Sequence, residues 1–268
     1  MRIIIAPAKK MRVDTDTFAR PELPEYLDRA EALAAYVRGL SYAGQKALWA
    51  CSDKIARESA ERFAGMDLRR NLTPAILAYD GIQYASMAPA VFEDRHFEYV
   101  QRHLRILSGL YGALRPLDGV APYRLEMQAK AKPNGCRDLY DFWGDAIYRA
   151  VVDDSRVIVN LASAEYARCV EKYLAPGDRF VTCVFGELEG GRVVQKGVYA
   201  KMARGDMVRY LAEIGATAPE QLRAFDRSGY RFDEARSTGT KYVFVRAKAP
   251  GRRGITGEER EADGATCE

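Results

Sequence analysis

The feature that most constrains this chain is the run Leu104-Arg105-Ile106-Leu107-Ser108-Gly109-Leu110-Tyr111-Gly112-Ala113-Leu114-Arg115-Pro116-Leu117-Asp118. An apolar segment here meets a turn built on two glycines, and a helix from about Asp94 to Leu107 is expected to lead into it. Between residues 95 and 124, Arg95, Arg102, Arg105, Arg115 and Arg124 face only Glu98 and Asp118, with Phe97, Tyr99, Tyr111 and Tyr123 interleaved. Cations neutralise phosphates and aromatic faces stack on bases, so the stretch is a candidate phosphate-binding surface.

A chain of 268 residues, 48% hydrophobic and 29% charged, can bury one large core and is unlike a disordered protein. Its net charge of +4 is too small for histone-like binding, so any nucleic-acid site must come from clustering. Cysteines 51, 136, 169, 183 and 267 form no CxxC pair and no metal-ligand spacing. The apolar run after Met1 is too short for a signal sequence, and no window approaches the roughly 20 residues of a membrane span. A reduced, cytoplasmic protein without membrane contact is expected.

Ile3-Ile4-Ile5 reads as a buried strand feeding a loop at Ala6-Pro7 that displays Lys9 and Lys10. Helices are expected from Pro24 to Gly39, at about 41 to 50 and at 52 to 64, the last capped by Ser52 or Asp53. Residues 75 to 87 read as a strand, a turn at Asp80-Gly81 and a second extended piece. Tyr123 to Met127 alternates as an extended segment does, Asp138 or Asp141 caps a helix reaching Val152, and Val157 to Leu161 is a core strand. A hairpin turning at Glu189-Gly190-Gly191, a helix from 199 to 214, a short helix near 219 and strands near 230 and 241 to 246 complete a single body over residues 1–246. The stretch 247–268 is expected to be a flexible tail. Because hairpins interrupt the alternation of strands and helices, the sheet should be mixed and the class α+β, with surrounding helices.

A second basic cluster holds Lys201 and Arg204, three apart at the start of a helix and so on one face. Arg124 and Glu126, at i and i+2 on an extended segment, share a face as an ion pair or as a phosphate clamp beside an acid. Asn160, Ser163, Glu165 and Tyr166 follow the core strand, where α/β architectures place binding groups. There is no Walker loop, no GxGxxG after a strand, no GxSxG elbow and no HExxH, and His96 and His103 are the only histidines. No metal site and no cofactor is expected.

Several segments together resemble the YaaA family of peroxide stress resistance proteins: Ile5-Ala6-Pro7-Ala8-Lys9, Ser52-Asp53-Lys54, Leu104 to Gly112, Pro122 to Met127, Asp138 to Gly144, Val159 to Ser163, and Tyr199 to Gly205. The resemblance covers residues 1 to about 246 in the family's order, and departs from it at Ala6, where the family usually has serine. It implies a cytoplasmic protein of the oxidative stress response that limits free iron and the DNA damage iron promotes. It also implies an unusual topology with a positively charged cleft, a helix-hairpin-helix-like element and binding of double-stranded, bulged or junction DNA, with no obligate protein partner.

Two functions follow from these readings. In the first, a DNA-binding stress protein uses Arg105, Arg115, Lys201 and Arg204 on phosphates, Gly109 and Gly112 for close backbone approach, and Tyr111 beside a base. In the second, an enzyme acts on a nucleotide or phosphorylated small molecule held by Lys9, Lys54, Arg124, Glu126 and Lys201. Convergence of the second set in a pocket too narrow for duplex separates the two.

Overall fold

A computed structural model describes residues 1–14 and 22–247. The expected tail therefore lies, apart from Ala247, outside the described residues.

The first half runs β1 (Arg2–Ile5), β2 (Lys10–Met11), α1 (Leu27–Gly39), α2 (Tyr42–Trp49), α3 (Asp53–Gly65), β3 (Thr73–Pro74), α4 (Ala75–Ala78), β4 (Tyr79–Asp80), α5 (Ile82–Met87), α6 (Asp94–His103), β5 (Leu104–Ser108), β6 (Gly112–Leu114) and β7 (Gly119–Val120). The second runs α7 (Leu139–Trp143), α8 (Ala146–Val151), β8 (Val157–Asn160), α9 (Ala164–Glu171), β9 (Arg179–Glu189), β10 (Arg192–Val194), α10 (Gly197–Ile214), β11 (Tyr230–Phe232) and β12 (Lys241–Arg246).

The main sheet is mixed, with strand order β11-β12-β9-β8-β1-β5-β6 and β10 paired to β9. Five central strands are parallel, and the antiparallel β11, β6 and β10 border them. Ile3, Ile4 and Ile5 are fully buried, because β1 lies at the centre of the sheet and both its faces are covered. From β1 the chain first steps to β5 on one side and later returns to β8 on the other. Their carboxyl ends therefore open a crevice of the kind in which α/β sheets hold ligands.

Three local expectations are corrected. Leu104 to Leu107 are strand and not the end of a helix, since Leu104, Arg105 and Ile106 pair in register with Ile3, Ile4 and Ile5. A continuous apolar run fits either element, and the long-range pairing decides. The two glycines of the opening motif consequently lie at the turn of a β-hairpin, with Ser108 facing Gly112, so the turn is flanked by strands and not by helices. Residues 75 to 78 and 82 to 87 are helices where strands were expected; Ala75 to Ala78 are buried on every side and carry no periodicity to read. The helix expected up to Val152 is two short ones, broken where Gly144 takes φ +53°. The hairpin at Gly190-Gly191, the helix through Ile214 and the last two strands form as expected.

Candidate functional site

A cavity of about 470 Å³ lies at the carboxyl ends of β1 and β8. The loop after β1 supplies Ala6 to Lys9, β2 supplies Lys10, and the chain after β8 supplies Ser163, Glu165 and Tyr166. Opposite them stand Gly81 to Tyr84 at the start of α5, the segment Tyr123 to Glu126, and Lys201 and Arg204 from α10.

Hydrogen bonds hold these walls in place. The Tyr84 hydroxyl donates to the Ala6 carbonyl at 3.0 Å, fixing α5 against the loop after β1. Tyr123 shares its hydroxyl with Tyr79 at 2.8 Å and with Ser108 Oγ at 2.7 Å, and that Oγ also accepts from Tyr111 N at 2.8 Å. The extended segment is thereby tied to the end of β5. A Cβ on Gly109 would sit 2.4 Å from the Leu125 carbonyl oxygen, so glycine lets this segment close over the strand end.

The charged groups are arranged with consequence. Lys9 Nζ lies 2.9 Å from Glu126 Oε2, and Arg124 reaches Glu126 Oε1 at 3.2 Å, so one carboxylate bridges two cations. Lys10 and Lys201 are exposed at the rim. Arg204 is half-buried; burial lowers its guanidinium from the ordinary arginine range, and its buried Nε has no hydrogen-bond partner among the described residues. Burial raises the Glu165 carboxyl against an opposing hydrogen bond from Gln128 N, which donates to Oε1 at 3.2 Å. Burial likewise pushes the Tyr123 hydroxyl up to about 12 and keeps it a proton donor. An anion entering here meets five cations against the carboxylates of Asp80, Glu126 and Glu165.

Four of the five residues assigned to the small-molecule reading, Lys9, Arg124, Glu126 and Lys201, line this cavity. Lys54 does not; it is exposed on α3. Of the residues assigned to phosphates or bases, Lys201 and Arg204 are present and the others are engaged elsewhere. Arg105 turns onto its own backbone, donating to the Leu104 carbonyl at 2.8 Å, and burial lowers its guanidinium to about 10. Arg115 pairs with Glu22 at 2.7 Å and Asp118 at 3.0 Å. Tyr111 is fully buried, its hydroxyl accepting from Ala121 N at 3.0 Å, which leaves no face for a base. Gly112, at φ +77°, lies where a Cβ would be 2.7 Å from the Trp143 ring, and Trp143 Nε1 donates to the Gly109 carbonyl at 3.1 Å. The glycines thus serve packing between the hairpin, the Leu125 segment and α7.

Ser163 heads α9 without a side-chain capping bond and lines the cavity, whereas Asn160 caps its own strand end by accepting from Ala162 N at 2.9 Å. Gln83 and Tyr84 were missed because their segment reads as strand; the Asp80-Gly81 turn was the available signal. Among the described residues no group of three or more His, Cys, Asp or Glu is placed to hold a metal ion. Cys169 and Cys183 are buried, which pushes both thiols up to about 12 and makes them poor nucleophiles. Among the described residues no helix is long and apolar enough to cross a membrane.

Fold and site together define an α+β protein with a cavity of mixed charge and apolar lining at the carboxyl edge of a mixed sheet. Residues 1–236 match the family described as peroxide stress protein YaaA, and the chain belongs to that family. It is 52% identical over 246 residues to a UPF0246 protein of Agathobacter rectalis, covering 92% of this chain and 99% of that one. It is 53% identical over 249 residues to UPF0246 protein DSY0297 of Desulfitobacterium hafniense, covering 93% and 99% respectively.

Proposed function

We propose that this protein serves the peroxide stress response in the cytoplasm by binding DNA where a nucleotide is unpaired, and so limits iron-dependent oxidative damage there. The cavity takes the unpaired nucleotide, and Lys10, Lys201 and Arg204 engage the phosphates beside it. One observation carries this reading: cations from the loop after β1, the Arg124 segment and α10 converge on a space of about 470 Å³. That volume lies within the range of small-molecule sites, roughly 300–1,000 Å³. A cube of the same volume is about 8 Å on a side, less than the roughly 12 Å width of the major groove alone. A paired duplex stays outside, while an extruded nucleotide fits, and extrusion is least costly where pairing is already broken.

A second reading is favoured by the bridged carboxylate Glu126 and the half-buried Glu165 beside it. Two carboxylates in distinct environments suit general acid and base work on a free nucleotide or phosphorylated small molecule. Binding of a fluorescent duplex, the same duplex with a bulge, and a mononucleotide, each across a salt series at fixed pH, separates the two. Preference for the bulge with steep salt dependence is the expected result. Binding of the mononucleotide with no DNA binding at low salt would overturn the first reading in favour of the second.

A further inference from the structure

Of the three carboxylates that line the cavity, two need nothing from a ligand. Asp80 is exposed to water. Glu126 carries a cation on each oxygen, Lys9 at 2.9 Å and Arg124 at 3.2 Å. Glu165 is placed differently. It is half-buried in the first turn of α9, and among the described residues no cation lies within ion-pair distance of it. Burial raises its carboxyl, and Lys9, bonded to Glu126, opposes that shift only from a distance. Gln128 N donates to Oε1 at 3.2 Å. An ionised carboxylate accepts at about four lone-pair positions on its two oxygens, so capacity remains. A charge drawn out of water is costly unless hydrogen bonds replace the water, and here the cavity is where further donors can come from.

A carboxylate without a cation repels a phosphate, so the part of a nucleotide that lies against Glu165 is its base. The bases differ in what they offer an acceptor. Guanine sets two N–H donors side by side on its pairing edge, N1–H and the 2-amino group. Adenine and cytosine set a ring nitrogen acceptor beside their amino group, and thymine holds one N–H between two carbonyls. Each of those three turns a lone pair towards the carboxylate, which only guanine avoids. We propose that Glu165 reads the base of the unpaired nucleotide by accepting both donors of guanine, so that the cavity selects guanine over the other bases. Leu125, Ile82 and Tyr166 supply apolar wall for the ring. Lys10, Lys201 and Arg204 remain for the phosphates, because Glu126 already engages Lys9 and Arg124. The inference rests on the reading of the cavity as a nucleotide site.

The test uses the full chain and duplexes that differ only in the base of a one-nucleotide bulge: guanine, adenine, cytosine, thymine, or hypoxanthine, which is guanine without its 2-amino group. The guanine bulge is expected to bind about tenfold tighter than the other three natural bases, the discrimination of one bidentate pair. Hypoxanthine keeps N1–H alone and should fall between them. Glu165→Gln exchanges one acceptor for a donor and removes a charge. The lost charge acts on all the duplexes alike, so the readout is the ratio between bases within each protein, and guanine's advantage should disappear in the variant. Binding of the adenine bulge by Glu165→Gln shows that the variant is folded, and the hypoxanthine comparison needs no variant. Equal affinity for guanine and adenine, or for guanine and hypoxanthine, would overturn the base reading while leaving the cavity's nucleotide assignment standing. A guanine advantage that survives Glu165→Gln would overturn it as well. Absence of binding to any bulge would overturn both.

Discussion

Gly205 of α10 lies so close to Gln83 of α5 that a Cβ at position 205 would sit 2.1 Å from the Gln83 carbonyl oxygen. It would also sit 2.9 Å from Met87 N, so the obstacle is backbone on two sides and no side chain can yield. This contact sets the spacing of the two helices that carry Arg204 and Tyr84 into the cavity. Gly205→Ala should therefore cost about 2 kcal/mol or more through overpacking, with a fall in melting temperature of several degrees. Gly39→Ala is the control, since nothing lies within 4 Å of a Cβ there and the substitution should not destabilise. Equal melting temperatures for Gly205→Ala and the natural chain would remove the contact from this role.

What the sequence revealed of the fold follows from where its information is local. Ile3 to Ile5, Val157 to Asn160 and the Gly190-Gly191 hairpin are legible because β-branched runs and paired glycines act within a few residues. Leu104 to Leu107 read as helix because only the pairing of this segment with β1, a hundred residues away, distinguishes it from one. For the site, the side chains were identifiable but their grouping was not. Arg105 and Arg115 stand beside Arg124 in the sequence, yet the first bonds to its own backbone and the second to Glu22, while Lys9, Arg124 and Lys201 meet from three distant segments. Clustering along the chain says little when a strand sends successive side chains to opposite faces.

Glu213, near the end of α10, accepts hydrogen bonds from the guanidinium of Arg227 and from Arg209 Nε at 2.9 Å. Those bonds, Arg227 foremost, hold its carboxyl at about 2. In the unfolded chain a glutamate titrates near 4.3. The folded value is the lower one, so the stabilisation is complete above roughly pH 4.3 and is lost as pH falls towards 2. With the side chain 29% exposed, solvent screening reduces it to about 1–2 kcal/mol. Urea denaturation of Glu213→Gln against the natural chain should show that deficit at neutral pH and a narrowing gap on acidification below about pH 4. A gap of constant size across this window would show that the triad does not contribute through charge.

The placement of the cations leads to the sharpest functional prediction. Lys201 is exposed at the cavity rim and Arg204 lines the wall with an unmet Nε, whereas Arg115 is committed to Glu22 and Asp118. Each phosphate contact contributes close to one unit to the dependence of log affinity on log salt. With a bulged duplex, Lys201→Gln and Arg204→Gln should each flatten that slope by about one unit. Arg115→Gln and Lys54→Gln should leave it unchanged, although Arg115→Gln is expected to lower thermal stability by freeing the buried Asp118 carboxylate. The four slopes together locate the phosphates. Flattening by Arg115→Gln with no effect of Lys201→Gln would move the interface from the cavity to the surface around Arg115 and Glu22, at the end of β6.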